Sequence, residues 1–184
     1  MELKRLISAS LRTLATNVRL GFGKVVHGAR LRYSPFTCLA NSDSITLSSC
    51  ARVDFGKSLR TRGGCAFNVQ GSGQLTFGNG VFLNHGCQIN CRSQISIGDG
   101  CEFGPNVLVF DHDHSYRGGV LKDGGFQLGS IEIGRNCWVG AGSIILRGTT
   151  IGEGSVIAAG SVLKGTYPPG SLVVQKRATE ILSV

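Results

Sequence analysis

Two histidines alternate with two aspartates in the run Asp111-His112-Asp113-His114, and a third histidine, His85, follows Asn84. Histidine titrates near neutrality, so it can take a proton from a hydroxyl whose own pKa is far above 7. Asp111 or Asp113 would orient such a ring through a charge-assisted hydrogen bond. Three histidines also raise the question of a zinc hydrolyase, in which all three would have to converge on one ion across a subunit interface; the spacing of His85, His112 and His114 does not favour that reading. The seven cysteines (38, 50, 65, 87, 91, 101 and 137) are odd in number and contain no Cys-x2-Cys pair. Cys87, Cys101 and Cys137 read as small apolar fillers and the thiols as reduced, which implies the cytoplasm. No serine or cysteine sits in a nucleophile elbow, so a covalent acyl-enzyme is not expected.

The elements that hold these residues follow from a six-residue beat. From Ile133 an apolar residue recurs at Val139, Ile145, Ile151, Ile157 and Leu163. This period fits neither a helix nor a half-buried strand and signals a repeat architecture. Ile97, Phe103 and Val109 share the register. Leu47, Val53, Leu59, Cys65, Phe77, Leu83 and Ile89 hold a second one, offset by two, with one slip between Ile89 and Ile97. The first residue of each hexad points inward and stacks one coil away, at about 4.8 Å. The second is often glycine, expected to permit a tight corner. The fifth is small, as at Cys87, Cys101, Cys137, Ser143, Thr149, Ser155 and Ser161. Three hexads per triangular coil would give about seven coils. The fold class is an all-β solenoid, a parallel β-helix of hexapeptide repeats expected over residues 36–173. Such helices are left-handed, against the usual crossover preference.

Two segments depart from the repeat. Residues 110–130 lose the hexads and are expected to protrude as a loop, and loops that interrupt a regular solenoid tend to carry function. Residues 1–20 place Leu3, Leu6, Ile7, Leu11, Leu14 and Val18 at helical spacing, with Lys4, Arg5, Arg12 and Arg19 between them. This basic amphipathic helix would lie on the coil or a neighbouring copy, or else make a peripheral contact with an anionic membrane. The 184 residues carry a net charge of +8, of which residues 1–35 hold +6. The remainder is near neutral, which argues against a nucleic-acid footprint. Neither a membrane span nor a signal peptide is expected. Residues 174–184 form a tail.

The block from Ile133 to Pro169, the Asn84 segment, the Asp-His-Asp-His run, Trp138 and the Tyr-Pro-Pro-Gly exit resemble the hexapeptide-repeat O-acetyltransferases. Those acting on maltose, galactosides and surface polysaccharides are the nearest in pattern. The resemblance runs from about Leu75 to Val173. It implies acetyl-coenzyme A as co-substrate, no required metal, and homotrimers with active sites between subunits. His114 matches the catalytic base and Asn84 the asparagine that positions the acceptor hydroxyl. Trp138, Ala141 and Ala159 match the coenzyme channel. Lys164 stands one place early, and Lys176 and Arg177 replace the usual nucleotide-end residues while still able to meet phosphates. His112, His85, Asp111 and Asp113 are candidates for acceptor binding. The expected function is acetyl transfer to a sugar hydroxyl, in a surface polysaccharide or its precursor, by direct attack, in the cytoplasm or at the inner face of the membrane. Two alternatives stay open: another small acceptor, such as an amino sugar or xenobiotic, and a non-catalytic β-helix scaffold.

Overall fold

The structure, a computed structural model, describes residues 2–117 and 120–176, with side chains described for residues 10–116 and 125–176. Three parallel sheets of seven, six and six strands form the faces of a left-handed β-helix of about six turns. The first face contains Leu31–Arg32, Gln74–Phe77, Gln94–Ile97, Ile131–Ile133 and Thr150–Ile151. The second contains Phe82–Leu83, Glu102–Phe103, Trp138–Val139 and Val156–Ile157, and the third Ala66–Val69, Gln88–Cys91, Leu108–Phe110 and Ile144–Ile145. Strands pair in register with their equivalents one coil away, as in Trp138 with Val156 and Val139 with Ile157.

The expected hexad positions line the interior. Ile133, Val139, Ile145, Ile151, Ile157 and Leu163 are buried, as are Cys87, Cys101, Cys137 and the hydroxyl residues that replace them at 143, 149, 155 and 161. Each of those hydroxyls has a backbone carbonyl to bond, such as Ser155 to Gly152 at 2.7 Å and Ser161 to Ala158 at 2.6 Å. A buried hydroxyl without that partner would cost stability.

Coil length is not uniform, which corrects the expectation of three hexads per coil and of seven coils. Leu31, Val53 and Leu75 stack at 22-residue intervals and Leu75 and Ile95 at 20, whereas the 18-residue interval appears in the later coils, between Ile133 and Ile151, Val139 and Ile157, and Ile145 and Leu163. The earlier coils are wider because their third-face strands carry an extra inward residue, Val69 or Cys91, which adds two residues; the 22-residue coil adds two more in the turn after Val69, where Leu75 lies six positions on, against four from Cys91 to Ile95. The larger girth is filled by Phe55, Phe67 and Phe77, whose ring centroids lie 5.2 to 5.9 Å apart. The solenoid also starts earlier than residue 36, because Leu31 already pairs with Val53.

The second-position glycines have a different reason from the one expected. A Cβ on Gly98 would stand 2.5 Å from the Arg135 nitrogen, so close approach of the next coil excludes it. Positive φ falls instead at the fourth position, on Gly142 and Gly154 and on Asn106 and Asn136.

Helix α1 (Glu2–His27) lies across the N-terminal end of the coil. Its polar side makes the contact. Thr16 Oγ1 donates to the Leu39 carbonyl (2.9 Å) and accepts from its N–H (3.1 Å), and Arg12 donates to the Thr61 carbonyl. Arg19 reaches the carbonyls of Ala40 and Asn41, while Leu20 is buried against the first coil. The side chains of Leu3, Lys4, Arg5, Leu6 and Ile7 lie outside the described ones. Leu11, Leu14 and Val18 point away from the coil. The helix lies on the coil, one of the placements expected, but over the described part its polar side makes the contact: carbonyls at an open solenoid end need donors, which that side supplies. Among the described residues no helix is long and apolar enough to cross a membrane.

Candidate active site

The segment expected as an irregular loop is an antiparallel hairpin, His112–Arg117 with Val120–Leu128. It leaves the coil at the corner where the third face turns into the first. Asp111 anchors the exit. It is fully buried and continues the inward column of Val69 and Cys91, and its carboxylate accepts the N–H of Arg92 at 2.8 and 3.0 Å and of Ser93 at 2.7 Å. The same carboxylate lies 2.9 Å from His112 Nδ1. Asp111 is thus saturated and buried, which corrects its candidacy as an acceptor-binding residue; it positions His112. Burial pushes the neighbouring Cys91 thiol up, and the Asp111 carboxylate adds to the effect.

Strand alternation puts His112 and His114 on one side of the hairpin and Asp113 on the other. Across the hairpin His114 pairs with Phe126, whose ring centroid lies 4.9 Å from the His114 ring and 5.4 Å from that of His112. Asp113 turns to Arg147 (2.5 Å to Nε), and Arg147 also holds Gln127 at 2.7 Å. Asp113 therefore pins the hairpin to the next coil rather than facing the groove. His114 is exposed, and its ring contact among the described residues is with Phe126.

Below the histidines the outer side of the third face forms a groove of about 120 Å³, bounded by Asn68, Gln70, Asn90, Arg92 and Phe126. The Asn68 amide donates to Asn90 Oδ1 at 3.0 Å, and Arg92 bonds Gln70 and lies over the Phe126 ring, 3.7 Å from its centroid. The Asn90 amide nitrogen is buried without a hydrogen-bond partner among the described residues. These five residues were not anticipated from sequence. The one trace of them is the slip between Ile89 and Ile97, where Asn90 and Arg92 sit. Phe126 reaches the site only through hairpin pairing.

The other candidates gather elsewhere. Asn84 and His85 lie at the corner between the second and third faces, in the columns that continue through Gly104 and Gly140 and through Ala141 and Ala159. Asn84 Oδ1 accepts the His85 N–H at 2.9 Å, and the His85 ring lies over Gly64. Trp138 is exposed on the second face just before this corner, and Lys176 ends it. Lys164 is on the hairpin's corner instead, one coil beyond Leu146. Arg177 lies outside the described residues. Within one chain, then, His114 and Asn84 occupy different corners. Among the described residues no three metal-ligating side chains converge.

Comparison with known proteins fits this architecture. Residues 130–165 match the family described as bacterial transferase hexapeptide (six repeats). The chain is 33% identical over 158 residues to nodulation protein L of Rhizobium meliloti (strain 1021), covering 85% of this chain and 68% of that protein. It is 34% identical over 98 residues to the galactoside O-acetyltransferase of Lactococcus lactis subsp. lactis (strain IL1403), covering 53% of this chain and 47% of that one. The chain spans about half the length of several curated relatives that it matches. The crystal structure of AntD, an N-acyltransferase from Bacillus cereus in complex with dTDP and 3-hydroxybutyryl-CoA, shares the fold with a TM-score of 0.68 at 18% identity, over 82% of this chain and 80% of that one. Hexad beat, stacked faces and relatives agree: the chain belongs to the hexapeptide-repeat acetyltransferase family.

Proposed function

We propose that the protein transfers an acetyl group from acetyl-coenzyme A to a hydroxyl of a sugar, in a surface polysaccharide or its precursor, with His114 as general base. The observation that carries this reading is the histidine pair set beside Phe126 at the mouth of a groove floored by amides and Arg92. Amide and guanidinium groups suit hydroxyl-rich ligands, because the amides offer both donors and acceptors and the guanidinium adds fixed donors.

In the proposed step a ring nitrogen of His114 takes the hydroxyl proton as the oxygen attacks the thioester carbonyl. The tetrahedral centre then collapses, the carbon–sulfur bond breaks, and coenzyme A leaves with the proton returned to its sulfur. No acyl-enzyme forms. Asp111 holds the His112 ring at the groove edge, so His112 has a positioning or acceptor-contacting role. In the Gly140-Ala141-Gly142 turn the Gly140 and Gly142 N–H groups already donate to the carbonyls of Ile157 and Pro105, which leaves the Ala141 N–H as the oxyanion donor. Ala159 is exposed and Ala141 half-buried on the same corner, which leaves backbone groups accessible to a pantetheine arm. Trp138 and Lys176 extend that wall, and Lys164 with Arg177 completes the phosphate contacts.

Because His114 and Asn84 sit on different corners, this reading needs a second copy at each active site, in keeping with the homotrimer that the family resemblance implies. The chain's free, mostly buried thiols support a reducing compartment, the cytoplasm. The deciding experiment is thiol release from acetyl-coenzyme A over nucleotide sugars, free oligosaccharides and lipid-linked glycans, with wild type and His114→Ala in parallel. Turnover on one of these classes, lost in the variant, is expected. Equal rates in both proteins would remove His114 from the mechanism, and failure to bind acetyl-coenzyme A would leave a scaffold.

A further inference from the structure

The N-terminal cap carries a surface that the acetyl-transfer chemistry does not use. On α1, Leu11, Leu14, Val18, Phe22, Val25 and Val26 are 55 to 85% exposed. At 100° per residue they form one continuous stripe, about 22 Å long at 1.5 Å per residue. The opposite side is occupied, since Arg12, Thr16, Arg19 and Leu20 bind the coil end. An apolar patch of this extent is unusual on a solvent-facing surface and marks an interaction site.

Charge identifies the partner. Residues 3–42 contain no acidic residue, and residues 1–35 carry seven Lys and Arg against Glu2 alone. Where α1 ends, beside Phe22 and Val25, a cleft of about 520 Å³ opens onto the first face, lined by Lys24, Arg30, Arg32 and Arg52. Asp54 is its single acid and pairs with Arg32 at 3.4 Å, while Arg30 also donates to the Ser48 carbonyl. Apposing the caps of two copies would bring two such basic regions together at a Coulombic cost. An anionic surface would be attracted to the same charges.

We propose that the cap is a docking surface for an anionic lipid bilayer: α1 lies in the interface with its outward stripe among the acyl chains, and the basic cleft takes headgroup phosphates at the rim. An amphipathic helix with one apolar side and flanking cations binds in this way, and its affinity adds apolar burial to electrostatic attraction. The coil then stands with its N-terminal end on the membrane, away from the histidine groove.

Co-sedimentation of the full chain with phosphatidylglycerol-containing and pure phosphatidylcholine vesicles tests this. Wild type should partition at least about tenfold more strongly onto the anionic vesicles and be released by salt. Phe22→Ser with Val25→Ser, and separately Lys24→Glu with Arg52→Glu, should each reduce that partitioning about tenfold or more, with circular dichroism and sedimentation unchanged. All four side chains are exposed, so neither pair touches the core. Wild type left in the supernatant with anionic vesicles would overturn the proposal, as would serine variants that bind like wild type. So would serine variants that lose only their oligomeric state, which would assign the stripe to contact between copies.

Discussion

Where the second face turns into the third, the corner is built by removing side chains: Gly104, Gly140, Ala141 and Ala159 leave backbone exposed along several coils. Where the third face turns into the first, the corner is built by adding them: an inserted hairpin brings His112, His114 and Phe126 over a floor of Asn68, Asn90 and Arg92. Both corners belong to one coil and obey one inward pattern. The first is suited to accommodating a long ligand, the second to placing a proton acceptor. On the proposed reading the solenoid separates its two tasks by corner, and an assembly of copies would reunite them.

The sharpest way to break the contrast is His114→Ala. Acetyl transfer should fall by about 10²- to 10⁴-fold while coenzyme binding, followed by calorimetry, stays within a factor of a few. Equal loss of both would mean that the two corners are not functionally distinct. Next comes the anchor. Asp111→Ala leaves the buried N–H groups of Arg92 and Ser93 without an acceptor and should cost about 2–4 kcal/mol, read from the urea midpoint at unchanged slope. If stability is untouched, the hairpin's exit is not held by this carboxylate.

The opposite corner should respond to bulk rather than to lost polarity. Ala159→Trp is expected to raise KM for acetyl-coenzyme A about tenfold, worth ~1.4 kcal/mol, with kcat largely kept. A fall in kcat alone would contradict the division. Asp113→Asn should have a smaller effect. The Asp113–Arg147 pair is partly exposed, so its loss should cost at most about 1 kcal/mol of stability, alongside a modest drop in kcat as the hairpin loosens. Thiol labelling finally separates surface from interior. Cys50 is exposed and should react at once at mildly alkaline pH. Cys91, its thiol raised by burial and Asp111, stays neutral there and should react only on unfolding, as peptide mapping of the label would show.

Much of this was legible in the chain itself. Hexads from Ile133 to Leu163 located the inward residues, and their interruption after Val109 pointed to the histidines. The polar floor was not legible, because Asn68, Asn90 and Arg92 read as outward positions of ordinary strands and gain meaning only when a hairpin folds over them. Phe126 was hidden for a similar reason: it is twelve residues from His114, and nothing local says that the two will pair. Asp111 and Asp113 looked equivalent in sequence, yet strand alternation and the inward column of Val69 and Cys91 gave them opposite surroundings.

The sequence by itself determined the coil, since a six-residue period of apolar and small side chains has one economical burial, stacking on its own equivalents. It also determined the break and the residue types placed there. Tertiary structure decided the coil widths: in the early coils the extra inward residue goes together with Phe55, Phe67 and Phe77, which fill the added girth. It decided which side of α1 meets the coil, because open carbonyls at a solenoid end outrank apolar area in choosing their cover. And it put His114 and Asn84 on separate corners, since a corner is a property of how many residues each coil has spent before reaching it.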